Sequence, residues 1–147
     1  EDWADTALSA GCRLALVQAA AADPVLRTAL LPDRLPGPLR SLVGALPAEA
    51  LSSLTGAVGE AIAGEAMQQL RRNLEQLALL VESTPYLVGD ALSIADLAVA
   101  AQLSLLKFPA SAGAPLAGRG VTGIADNPLL EPLFSWRDRI VAAAGRA

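Results

Sequence analysis

The sequence predicts an all-α domain, a bundle of five or six helices, and three observations carry that reading. Apolar residues make up 53% of the chain but aromatics only 3%. The core must therefore be built from Ala, Leu and Val, and small or unbranched apolar side chains favour helices over strands. Apolar residues also recur at intervals of three and four along most of the chain, the period of a helix with one buried face. Finally, the window 89–97 marks a helix start twice over. Ser93 can accept a hydrogen bond from the N–H of Asp96, and the Asp96 carboxylate can reach back to the N–H of Ser93. That is a capping box, with Asp where Glu or Gln is commoner. Leu92 before the cap and Leu97 at the fourth helical position can pack together as a hydrophobic staple. Neither strand-like alternation nor an internal repeat is present. With 147 residues the chain reads as one domain, 1–147, able to withdraw roughly two-thirds of its unfolded surface from water.

The first helix is expected over 2–22. Trp3, Ala7, Ala10, Leu14, Val17 and Ala21 form one row and Leu8, Cys12 and Leu16 another. Asp2, Asp5, Thr6, Ser9 and Arg13 fall on the remaining, polar side. Acidic residues in the first turn suit the positive end of the helix dipole. Asp23-Pro24 ends or kinks this helix, because the residue before a proline is pushed out of the α region.

Pro32, Pro36, Gly37 and Pro38 break up residues 24–47. The segment reads as a connector with short helical pieces at 25–31 and 39–46, leucine-rich enough to pack on the body of the domain. Pro47 suits the first position of the next helix, whose apolar row runs from Leu51, Leu54, Val58 and Ile62 through Met67, Leu70, Leu74 and Leu77 to Val81. One straight helix over 47–83 would span about 55 Å, too long for a compact domain of this mass. A break is expected at Gly56, Gly59 or Gly64. Those glycines serve a bend or a close helix approach, with an open ligand cleft as the alternative.

Ser83-Thr84-Pro85 closes that helix. The one opened by Ser93 runs to about Lys107, and its nearly unbroken apolar sequence predicts a buried central helix. Pro109 ends it. Gly113, Pro115, Gly118, Gly120 and Gly123 make 110–126 read as a long flexible surface loop. The last helix begins near Asn127, where Asn127-Pro128 forms a cap and first-position pair, or at Glu131. Leu129, Leu133, Trp136, Ile140 and Val141 or Ala144 make its inward stripe.

Histidine is absent, which removes Ser-His-Asp and Cys-His mechanisms and His metal sites. No catalytic or metal-ligating residue is assigned. Cys12 lies on an apolar row with no nearby base and reads as a packed thiol. A single cysteine excludes an internal disulfide and points to a reducing compartment. Tyr86, the only tyrosine, is placed in packing under the turn before the capping box. The net charge of −4 and pI near 4.7, with no basic stripe, argue against nucleic acid as a partner. Arg71-Arg72 beside Glu75 reads as a solvated face with an i,i+4 ion pair. With Arg119 and no Lys, 110–126 has no phosphate-loop signature. No run is long and uncharged enough for a transmembrane helix. There is no signal peptide and no initial Met, so the chain reads as a fragment or processed piece.

Gly89, Leu92, Ser93, Asp96 and Leu97 together give G-x-x-h-[ST]-x-x-D-h, with h apolar. This resembles the buried capping motif in the C-terminal helical domain of cytosolic glutathione transferases. Glu1-Asp-Trp-Ala-Asp5 is similar to the opening of that domain's first helix, and Tyr86-Leu-Val-Gly89 to the lead-in before the box. Asn127-Pro128 and Trp136-Arg137 are similar to the start and middle of its closing helix. Residues 24–66 match least, and the Gly-rich loop also departs from the pattern. The resemblance implies a glutathione-transferase C-terminal-like fold and a thioredoxin-like N-terminal domain that this chain lacks. That domain would activate glutathione, the co-substrate, and bind most of it. The helical domain would supply the floor for a hydrophobic electrophile and part of a homodimer interface. On that reading Thr6, Ser9 and Arg13 face the substrate cleft, with Arg13 best placed to attract an anion, while Ser93 and Asp96 are structural. The intact protein would be a soluble, cytoplasmic, dimeric transferase that conjugates or reduces hydrophobic electrophiles, and the helical part alone would not be catalytic. The alternative is a non-catalytic protein-interaction module, or a binder of apolar ligands, on the same fold.

Overall fold

The computed structural model describes residues 8–47, 50 and 60–145. Helix α1 is Ser9–Ala22. Asp23 ends it in an extended conformation and turns its carboxylate to the next helix, where Oδ1 accepts from the N–H groups of Val25 at 2.8 Å and Leu26 at 3.2 Å. That cap, with Pro24 at the first position, starts α2, Pro24–Ala29. Helix α3 follows at Gly37–Ala45. The two helical pieces expected in this proline-broken segment are both present, packed as a hairpin against the end of α1.

Helix α4 is Glu60–Ser83, 24 residues and about 36 Å long. Gly64 lies inside it and marks no break, and with open space at its Cβ position it serves no close helix approach. Gly56 and Gly59 lie outside the described residues, as do Trp3, Leu51, Leu54 and Val58. Helix α5 is Ile94–Leu106 and α6 is Glu131–Ala144. Helices α1, α4, α5 and α6 pack around one apolar core that includes Leu8, Cys12, Leu74, Leu103, Leu133 and Trp136. Gly11 lets α1 approach α4 closely: a Cβ there would meet the Leu70 side chain at 3.2 Å. The described residues contain no strand, only an isolated antiparallel bridge between Lys107 and Gly120.

Three sequence expectations change. Helix α5 is not covered all round: Ile94 is 64% exposed and Leu97 40%, because α1 and α6 pack on its other side, where Val99, Ala100, Leu103 and Leu106 are buried. Leu129 points outward at 74% exposure and Leu130 is buried instead. Asn127 caps a 3₁₀ turn, Pro128–Leu130, ahead of α6, and three residues per turn instead of 3.6 shifts the phase of the inward stripe. That stripe also takes in Phe134 and Arg137.

The third change concerns 110–126, which is tied down and not a plain surface loop. Phe108 N–H donates to Arg119 O at 2.7 Å, Gly118 N–H to Phe108 O at 2.9 Å and Val121 N–H to Leu106 O at 2.8 Å. Val121 and Ile124 are buried in the core. Gly120 makes the approach possible, since a Cβ there would stand 2.0 Å from Leu106 O and 2.8 Å from Lys107 Cα.

Candidate functional site

The start of α5 holds the sequence's strongest motif, and its geometry extends what local spacing could show. Asp96 is fully buried. Its Oδ2 accepts from Ser93 N–H at 2.8 Å and from Ser93 Oγ–H at 2.6 Å. The Asp96 N–H closes the box on Ser93 Oγ at 3.4 Å. Its Oδ1 takes a third bond, from Leu87 N–H at 2.7 Å. One carboxylate therefore fixes both the helix end and the approaching chain. A buried carboxylate with three donors is satisfied, which offsets the cost of taking its charge from water. Gly89 has φ +66, a left-handed conformation that glycine adopts without a Cβ penalty. Leu92 packs against the core, while Leu97 stays partly exposed. Tyr86 also packs against the core, and Trp136 Nε1–H donates to Pro85 O at 2.9 Å, anchoring the same lead-in to α6.

The chain belongs to the glutathione S-transferase C-terminal domain family. Its family model matches residues 22–114, well over half of the chain. The match includes the lead-in, the capping box and all of α5. It also takes in residues 24–66, the stretch least similar to the family pattern in the sequence. No curated protein and no solved structure matches the chain.

Of the three cleft candidates drawn from that family resemblance, Thr6 lies outside the described residues. Ser9 and Arg13 sit one turn apart on α1 in different surroundings. Ser9 is buried at 4% exposure and Arg13 is exposed. Helix α1 lies against both α4 and α5, and its covered arc runs along Leu8, Ser9, Gly11, Cys12 and Ala15, while Ala10 and Val17 of the expected apolar row are exposed. Arg13 is left as the polar side chain of this pair open to solvent. Cys12, between them in sequence, is fully buried. Burial pushes its thiol up to about 12, so almost none of it is thiolate near neutrality and it is a core group, not a nucleophile.

Two buried arginines escaped the sequence reading. Arg27 on α2 donates from Nη2 to Gly44 O and Leu46 O, both at 3.1 Å, and from Nη1 to Ala21 O at 3.3 Å. It caps the carbonyl ends of α3 and α1 at once, where helix dipoles favour a cation. Arg137 on α6 donates to Lys107 O and pairs with Asp138 at 2.8 Å. Its guanidinium lies 5.4 Å from the Phe134 ring centre. Lys107 Nζ approaches the same ring at 5.1 Å while bonding Glu131 at 2.8 Å. This cluster holds the end of α5 to α6. On α4, Arg72 donates to Gln69 Oε1 at 2.8 Å, and among the described residues Arg71 and Glu75 form no ion pair. No group of three potential metal ligands and no helix long and apolar enough to cross a membrane occurs among the described residues.

Proposed function

We propose that this domain is the helical half of a glutathione-transferase-like enzyme that conjugates hydrophobic electrophiles with glutathione, or reduces them with it. A thioredoxin-like domain docked on α5 would activate the glutathione thiol, and the helical half would hold the electrophile. The assembled protein would be a cytoplasmic homodimer. One observation carries the reading: α5, the helix that the family's capping box starts, keeps Ile94 and Leu97 uncovered. Large apolar side chains left open on a helix whose other side lines the core mark a surface that a second body covers.

The chemistry is attack by the glutathione thiolate on an electrophilic carbon. A C–S bond forms, and the leaving group departs with the electron pair of the broken bond. The thiolate would be generated by hydrogen bonding and a helix N-terminus in the partner domain. Cys12 does not compete as a nucleophile, being buried and protonated. Exposed Arg13 would attract the anionic end of the bound pair.

The test is to assay the protein carrying both domains with glutathione and 1-chloro-2,4-dinitrobenzene, and with a dialkyl disulfide for reduction. Turnover by the two-domain protein but not by the 147-residue chain supports the reading. Replacing Ile94 and Leu97 together by Asp should separate the domains and abolish turnover. A two-domain protein that neither conjugates nor reduces would overturn it in favour of a docking module.

A further inference from the structure

A concave surface lies away from α5, between the α2–α3 hairpin and the loop that follows α5. It is a shallow, open groove of about 580 Å³. Val25 and Ala29 from α2, Gly44 from α3 and Pro115 from the loop give it an apolar lining. Its cations are Arg40 and Arg119, and no acidic side chain lines it. In a chain of net charge −4, a groove lined by two arginines and no carboxylate has the local charge to attract an anion.

The two arginines differ. Arg40 donates from Nη2 to Pro32 O at 2.8 Å and pairs with Asp33 at 3.4 Å, so its charge is partly answered. Arg119 has no acidic partner among the described residues. Its Nε donates to Pro115 O at 3.0 Å, which orients the guanidinium and leaves both Nη groups to bond a ligand. The backbone beneath it is fixed, with Phe108 N–H donating to Arg119 O and Arg119 N–H to Leu116 O at 2.9 Å. A planar, pre-oriented guanidinium fits a carboxylate by two parallel bonds, and holding it in advance lowers the ordering cost of binding.

We propose that this cleft binds an amphiphilic carboxylate. The carboxylate sits on Arg119, with Arg40 adding field, and the apolar body lies on Val25, Ala29 and Pro115. The site is independent of glutathione chemistry and involves none of the residues assigned to it. Titration of the 147-residue chain with decanoate by calorimetry tests it, with decanol and inorganic phosphate as controls. Decanoate should bind at least tenfold more tightly than either control, because head and tail are both required. Arg119→Ala should weaken decanoate at least tenfold, and Val25→Asp should weaken it similarly by setting a like charge on the floor. Arg119 and Val25 are both exposed, so neither change threatens the core, and Arg139→Ala on α6 should leave affinity unchanged. Equal binding of decanol, undiminished binding by Arg119→Ala, or no binding of decanoate would each overturn the proposal.

Discussion

Replacing Asp96 by Ala removes the acceptor for three donors at once: the N–H groups of Leu87 and Ser93, and the Ser93 hydroxyl. Asp96 is fully buried, so the two N–H groups lose their partner in a nearly dry site. A buried donor left unpaired costs about 1–3 kcal/mol, so the two N–H groups set the scale, while Ser93 Oγ still caps the N–H of residue 96. Water entering the space left by the carboxylate returns part of this. The expected loss for Asp96→Ala is about 3–5 kcal/mol. Asp96→Asn keeps the shape and one carbonyl oxygen, which can still serve Leu87, but turns an amide N–H₂ towards Ser93; about 2 kcal/mol is expected. Ser93→Ala keeps the carboxylate and two of its donors, and should cost about 1–2 kcal/mol. Urea unfolding followed by circular dichroism, with the slope compared across variants, reads these values. The ranking Asp96→Ala, Asp96→Asn, Ser93→Ala is the critical result. If Ser93→Ala proved the most damaging, or Asp96→Ala fell within about 1 kcal/mol of the parent chain, the carboxylate would not be the hub described.

Gly120→Ala should destabilise by more than about 2 kcal/mol, since the new methyl meets the backbone of Leu106 and Lys107 and neither can step aside; rapid proteolysis within 110–126 and a lowered melting temperature would show it. Arg27→Met keeps the stem but deprives three carbonyls of their donor, for about 1.5–3 kcal/mol, with hydrogen exchange rising in α2 and α3 and little changed in α6. Cys12 gives a pH dependence of known sign. Its folded pKa is raised from 9.0 to about 12, so its contribution is fully present below pH 9 and is lost as pH climbs from there towards 12, at up to about 1.4 kcal/mol per pH unit. The difference between parent and Cys12→Ala in urea midpoints should narrow over that range and stay flat below it. Arg13→Ala in the two-domain protein should raise KM for glutathione or electrophile at least several-fold; an unchanged KM would take Arg13 out of the site.

Helix boundaries were legible because their signals are local. Asp23-Pro24, Ser93 with Asp96, and Asn127-Pro128 each bond groups two or three residues away, so spacing in the sequence is spacing in space. What spacing could not reveal depends on partners far along the chain. Arg27 reads as one more surface charge until α3 folds back and offers Gly44 O and Leu46 O. Gly120 reads as a flexible position until the backbone of Leu106 is laid against it. Leu129 was misplaced by a single 3₁₀ turn. Ser9 shares a polar side with Arg13 in the sequence, yet neighbouring helices cover Ser9 and leave Arg13 exposed. Thr6, Ser9 and Arg13 were placed at the cleft through the family resemblance, and periodicity alone does not record which side of α1 its neighbours cover.

Helix α3 buries none of its side chains, and Arg27 bonds the carbonyls at its end. The trunk formed by α1, α4, α5 and α6 instead shares one buried apolar core. With so few buried contacts, the hairpin tip is expected to open at a small fraction of the global unfolding free energy. Anything lodged between that tip and Arg119 would act as a latch. Slowed amide exchange along α3 would then report occupancy without reference to any reaction.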